Sequence, residues 1–306
     1  MDANWSVMLL AHGAPDRLED VPAFVLSLRD GRPLPHSALQ EIVERYRLIG
    51  GGSPLLPLTR RQAEALARKL GHPVYVGMRN WRPYIADAVR QAHQEGARQM
   101  VALCLAPQNS RTSVGLYRRV LDEAIARLAP GLEVDFIESW HDSPGLIAAF
   151  EERVAAVLDR AAPDAATVTP VIFTAHSVPE KTIAAGDPYD RQVRETAARV
   201  AAALNLPEKA WRVAYQSQGM TPDRWIGPTV ESQMDALAVA GHRRIVIAPI
   251  GFVCDHVEIL YDIDIVFRKH AENCRVEIFR SESLNDSPLF IEALAALVAA
   301  RARQAA

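Results

Sequence analysis

The sequence predicts an α/β protein: doubly wound parallel sheets with helices on both faces, divided between two similar lobes. Two observations carry this. Short β-rich runs alternate with longer amphipathic helical patterns along all 306 residues, and such alternation means βαβ units and a parallel sheet. The chain also echoes itself. Leu10-Ala11-His12-Gly13-Ala14-Pro15 returns as Thr174-Ala175-His176-Ser177-Val178-Pro179. Gly96-Ala97-Arg98, an apolar run and Ala106-Pro107 return as Gly241-His242-Arg243, an apolar run and Ala248-Pro249. The matches are short, but their common order points to two lobes, with a period far too long for a solenoid.

The elements follow from these runs in chain order. Strands are expected over residues 6–10, 74–77, 100–105 and 133–137, each a short run rich in apolar residues. Amphipathic helices are expected between and after them at 59–70, 83–95 and 116–128. The second half repeats the pattern, with strands at 171–173, 212–215, 244–250 and 275–279 and a helix at 190–204. The runs 171–173 and 245–250 read as buried strands. The lobe boundary is expected near residues 140–145, giving lobes of 1–143 and 144–306. A final helix over 288–303 is free to pack on either lobe. Between two such lobes lies a cleft, a common place for a small-molecule site.

Bulk properties narrow the function. A composition 49% hydrophobic and 23% charged suits a soluble globular protein. A net charge of −3 without a long Lys/Arg block argues against a nucleic-acid binder. Met1-Asp2-Ala3-Asn4 lacks the basic start of a signal peptide, and no apolar run approaches the roughly 20 residues that span a bilayer. Cys104, Cys254 and Cys274 form no CxxC pair, which supports neither a disulfide framework nor a four-thiolate cluster. A reducing cytoplasm is expected.

The candidate chemistry sits where strands end. His176 follows one apolar run, and Gly251-Phe252-Val253-Cys254-Asp255-His256-Val257-Glu258 follows another. In a parallel sheet, ligands bind beyond the carboxyl ends of the strands. A neutral imidazole and a carboxylate brought together there can hold a divalent transition metal or relay protons. A lone strand-end histidine is usually satisfied by a backbone partner, but His176 has an acidic counterpart, Glu258, at a matching place. Asp255 and Glu258 also have the spacing of a helix-capping box with Asp255 as N-cap. Asp255, Glu258 and Asp262 share one face if the helix is regular.

Other residues suit a flat, anionic ligand. The glycine-rich loop from Arg45-Tyr46 through Gly50-Gly51-Gly52-Ser53-Pro54 lets backbone approach closely, and Arg45 can fork onto a carboxylate. It matches neither GxGxxG nor a P-loop. Arg29, Arg32 and Arg45 lie in one segment rich in turn residues. Tyr117 and Trp225 lie near expected loops and offer aromatic faces, although ordinary packing explains either one singly.

Taken together, Thr174-Ala175-His176-Ser177-Val178-Pro179-Glu180-Lys181, Gln216-Ser217-Gln218-Gly219, Trp225-Ile226-Gly227-Pro228 and the DHxExLYD run from Asp255 to Asp262 resemble ferrochelatases. The resemblance covers nearly the whole chain in the same order. It implies two Rossmann-like lobes clasping a porphyrin into which ferrous iron is inserted. Iron is then a substrate; no cofactor is required, and no iron–sulfur cluster is implied because the cysteine-bearing C-terminal extension of some relatives is missing. The short polar stretch from Arg29 to Pro54 is similar to that of bacterial coproporphyrin III ferrochelatases rather than to the longer apolar lip of animal enzymes. In that group, residues matching Arg29, Arg45, Tyr46, Ser53 and Tyr117 contact propionates or line the ring pocket. His176 and Glu258 would act on the metal and the pyrrole protons, with Asp262 continuing the acidic line. A protoporphyrin IX ferrochelatase, a cobalt or nickel chelatase and a non-catalytic tetrapyrrole or metal carrier are the alternatives. Transient contact with neighbouring haem-pathway enzymes is also implied.

Two departures stand out. Relatives usually continue the acidic line with Glu where this chain has Val266. His12 stands where relatives tend to carry Tyr or Met, on the ring face opposite His176, and it is expected to be an axial ligand to product iron.

Overall fold

The alternation of apolar side chains decides the layering. In β1 (Trp5–Ala11), Val7 and Leu9 point to one face and Met8 and Leu10 to the other, all with no accessible surface. A strand apolar on both faces belongs in the middle of a parallel sheet covered on both sides. That is its place in the computed structural model, which describes residues 5–162, 168–219 and 222–302. The N-terminal stretch Met1 to Asn4 and Arg303 at the end of the expected final helix lie outside the described residues.

The first half runs β1, α1 (Val21–Leu28), α2 (His36–Leu48), α3 (Leu55–Leu70), β2 (Val74–Met78), α4 (Ile85–Gln94), β3 (Gln99–Cys104), α5 (Val114–Leu128) and β4 (Glu133–Ile137). The second continues with α6 (Pro144–Ala161), β5 (Val171–His176), α7 (Glu180–Ala184), α8 (Tyr189–Ala203), β6 (Trp211–Gln216), α9 (Val230–Val239) and β7 (Arg244–Ala248). It ends with α10 (Val257–Leu260), a π-helix (Asp262–Phe267), α11 (Arg268–Asn273), β8 (Glu277–Arg280) and α12 (Pro288–Ala302).

Two four-stranded sheets result, ordered β2-β1-β3-β4 and β6-β5-β7-β8, with every pair parallel. The order is the same in both, so β1 and β5 are counterparts and the internal echo is structural. In register, Leu9 of β1 lies between Val76 and Leu103, and Phe173 of β5 lies between Val213 and Ala248.

The inner faces of the two sheets contribute to a single core. Val7, Leu9 and Leu103 from one sheet join Val171, Phe173 and Val246 from the other, through α3, α6, α8 and α12. Outside this layer, α4 and α5 cover the first sheet, and α9 and α11 cover the second. The terminal helix packs on α3 and α6. Its crossing with α6 needs Gly145: a Cβ there would sit 2.8 Å from Ala293 Cβ. Lys69 pairs with Glu292, and Arg301 approaches Asp135 at 3.8 Å, so this helix is tied to α3 and β4 of the first half as well.

Helices α1 and α2 correct one expectation. The segment holding Arg29, Arg32 and Arg45 is largely helical, and Arg45 and Tyr46 belong to α2 rather than to a loop. Turn-forming residues between the two helices masked their periodicity. The glycines that follow α2 do form a turn, with Gly50 and Gly51 at positive φ.

Candidate active site

Both sheets reverse their strand order at the central strand, and a histidine stands at the carboxyl end of each. His12 follows β1 directly, and His176 is the last residue of β5. The third element is the connection from β7 to α10. Gly251 there passes so close to β5 that a Cβ would lie 2.7 Å from the Ala175 Cα. This close approach delivers Glu258 to His176.

The pair is held by its neighbours. His176 Nε2 lies 3.6 Å from Glu258 Oε1, and its Nδ1–H donates to the Ser177 carbonyl. The Tyr189 hydroxyl donates to the His176 carbonyl at 2.9 Å. Gln216 Nε2 donates to the Glu258 carbonyl at 2.8 Å. Both side chains keep about a third of their surface open to solvent, 35% each, so the pair is reachable.

Electrostatics assign the proton. Burial alone would lower the His176 pKa, but the Glu258 carboxylate and the Ser177 carbonyl outweigh it and raise it from 6.5 to about 9. Burial would raise Glu258, yet His176, with help from His256 and His12, brings it from 4.5 down to about 2. The resting pair is imidazolium and carboxylate. His12 is the opposite case. Solvent reaches part of its ring, but enclosure by protein and the nearby Arg79 charge lower its pKa to about 4, leaving a neutral imidazole. Asn80 Nδ2 lies 3.1 Å from its Nδ1. Burial, reinforced by Glu258, raises Asp262 to about 6 despite a hydrogen bond from Ser217 and the Arg45 charge.

The acidic face is arranged differently from expectation. Asp255 is not the cap of α10: His256 is, its Nδ1 accepting the Glu258 N–H at 3.1 Å. Asp255 instead accepts from Arg280 at 3.2 Å, Ser283 at 2.8 Å and Asn285 at 2.8 Å. Arg280 also forks onto Asp264 at 2.8 and 3.1 Å. One arginine therefore binds two of the carboxylates. The helix then changes pitch, with Val266 N–H donating to the Tyr261 carbonyl five residues back at 3.0 Å. Such π-turns shift the phase of a helix and recur at functional sites. Val266, within the π-helix, is 37% exposed.

The remaining candidates divide. Trp225 stands beside His176, with ring centroids 6.3 Å apart. Arg45 lies over the Tyr261 ring at 5.3 Å and reaches the Asp262 field. Tyr117 is buried beneath Arg79, whose guanidinium is 5.0 Å from the ring centroid. Tyr46 is buried in a cluster with Phe24, Val25 and Trp81, and burial pushes its phenol well up. Ser53 is also buried, its hydroxyl accepting the Leu55 N–H at 3.3 Å. Arg29 is exposed at the end of α1, donating to the Arg32 carbonyl at 3.1 Å. No contact among the described residues joins Ser53 or Arg29 to the pair. Sequence reasoning missed Arg79, and it quoted His256 and Ser217 within their motifs without giving either a role. Arg79 immediately follows β2, and the strand-end rule that singled out His176 applies equally to it. Its Nε and Nη1 are buried without a partner.

Two sheets of identical order, a histidine at the end of each central strand and a carboxylate paired with one of them make a two-lobed α/β protein with groups able to hold a divalent cation and exchange protons. Solved structures share that fold: SirB from Bacillus subtilis with Fe3+ aligns with a TM-score of 0.63 at 11% identity, covering 97% of this chain and 94% of its own. The ferrochelatase family model matches residues 4–302. A ferrochelatase of Acidobacterium capsulatum is 47% identical, with 97% of this chain and 94% of its own length aligned. A ferrochelatase of Deinococcus radiodurans is 39% identical over 98% and 96%. A coproporphyrin III ferrochelatase of Geobacillus thermodenitrificans is 36% identical over 96% and 95%. The chain belongs to the ferrochelatase family and is a metal chelatase. No described helix is long and apolar enough to cross a membrane.

Proposed function

We propose that this chelatase inserts Fe2+ into coproporphyrin III. The observation that supports this substrate is Arg79, a cation among the cleft residues with two buried N–H groups lacking a partner. Unpaired buried donors of a guanidinium favour a carboxylate ligand, and Arg45 adds a second cation at the rim. A ring with four propionates offers more such carboxylates than one with two. The relatives named for coproporphyrin III are similar over nearly their full length.

The reaction exchanges two pyrrole protons for one Fe2+. A planar ring hides its nitrogen lone pairs, so contacts remote from the metal must bend it. Trp225 beside His176 offers a face for that. Glu258 is already a carboxylate, so it attracts Fe2+ and accepts a pyrrole proton directly. His176 accepts one only after its own proton has gone to solvent. His12, neutral and on the opposite lobe, serves as an axial ligand to product iron.

A protoporphyrin IX reading draws on one observation: α1 exposes Leu26 and Leu28 next to Arg29, and α2 exposes Leu48 at its end. Anaerobic Fe2+ insertion into both porphyrins decides. A higher kcat/KM for coproporphyrin III is expected; equal or higher turnover of protoporphyrin IX sinks the assignment. In the same assay His176→Ala should bind porphyrin but lose insertion. His12→Ala should change the absorption spectrum of the iron product, and an unchanged spectrum removes the axial role.

A further inference from the structure

We propose a second metal site at the end of the molecule away from the cleft, formed by Asp235, His270 and Cys274 and selective for a borderline divalent transition ion, Zn2+ above all. It is independent of the porphyrin reading. Asp235 comes from α9, His270 from α11, and Cys274 caps α11. The i, i+4 spacing of His270 and Cys274 sets both on one helix face. Their ligand atoms and an Asp235 oxygen lie within 4.8 Å of one another. Metal bonds of about 2.0–2.3 Å set tetrahedral ligands roughly 3.3–3.8 Å apart, so only side-chain adjustment is needed.

In the metal-free arrangement the three groups satisfy one another. His270 Nε2–H donates to Asp235 Oδ1 at 2.8 Å, and Cys274 Sγ donates to the same oxygen at 3.1 Å. Three donors converge on one point, where a cation would replace the shared hydrogen bonds. The backbones beneath are fixed, because Met234 and Leu237 of α9 and Ala271 of α11 are buried in the core under the second sheet. Cys274 lies three residues before the start of β8, whereas the cleft lies at the strands' carboxyl ends. The site is therefore remote from His176 and Glu258.

The donor set names the ion class. A thiolate with an imidazole and a carboxylate suits Zn2+ or Co2+ and disfavours Mg2+ and Ca2+. Three protein ligands leave a fourth position for water. Binding forms a metal–sulfur bond and sends the thiol proton to solvent, one proton per ion.

Titration of the full chain with Co2+ alone tests this. A thiolate-to-cobalt charge-transfer band in the near ultraviolet, saturating at one ion per chain, is expected; Co2+ held by His176 and Glu258 cannot give one, since neither bears sulfur. The band should vanish in Cys274→Ser, and binding should weaken about tenfold or more in His270→Gln. Cys274→Ser should keep porphyrin metallation, and its loss would contradict the separation of the two sites. No band in the wild type, or a band unchanged in both variants, overturns the proposal.

Discussion

A proton is already in place at the His176–Glu258 pair before substrate arrives, and its position has a measurable pH signature. The His176 pKa is raised from 6.5 to about 9, so its contribution to stability is complete below 6.5 and lost as pH rises through about 9. The Glu258 pKa is lowered from 4.5 to about 2, so its contribution is complete above 4.5 and lost as pH falls through about 2. The pair is therefore fully stabilising between 4.5 and 6.5. NMR titration of His176 in the substrate-free protein should show a midpoint near 9, falling sharply in Glu258→Gln. An ordinary midpoint in the wild type would refute the pairing. At this scale the sequence was informative where a residue ends a strand, as with His176 and Glu258. It was silent on which side chains would hydrogen-bond the acidic residues, as with Ser217 for Asp262 or Arg280 for Asp255.

Among the elements, the β7–α10 connection does the most to assemble the site, through backbone proximity rather than side-chain chemistry. Gly251 lies against β5 with no room for a methyl group. Gly251→Ala should force the connection away from Ala175, destabilise the fold by about 1–3 kcal/mol and reduce insertion together with the His176–Glu258 contact. Denaturant unfolding and turnover check both parts. Wild-type stability with wild-type turnover would mean that the connection yields freely. Most strands were legible because buried parallel strands are continuous apolar runs. Helix phase was less so: the expected line Asp255, Glu258, Asp262 assumed regular α-geometry, and the π-turn after Tyr261 has no local signature in those residues. The cap of α10 was misplaced by one residue because His256, an uncommon cap, accepts the Glu258 N–H in place of Asp255.

For the whole molecule, the shared core is the decisive feature. Trp140 stacks on Phe290 with centroids 6.1 Å apart, in the same apolar cluster that joins β1 to β5. Phe290→Ala removes a fully buried ring and should cost about 3–5 kcal/mol. Because the cluster is common to both sheets, thermal unfolding should remain a single transition that moves down as a unit. Two separated transitions in the wild type would show that the halves are stable apart. The repeat in the sequence announced two similar sheets, but not that α3, α6, α8 and α12 would join them, since helix patterns identify an apolar face without identifying its partner.

That common wall has a consequence for how a flat ring is handled. Two bodies joined by a hinge would close on their guest like a hand, and aperture would follow occupancy. Here the sheets are braced from behind by α12, so the spacing of the strand ends that carry His12 and His176 is closer to the slot of a gauge, its width set when the chain folds. A guest must then fit the slot as it stands, because nothing behind it yields.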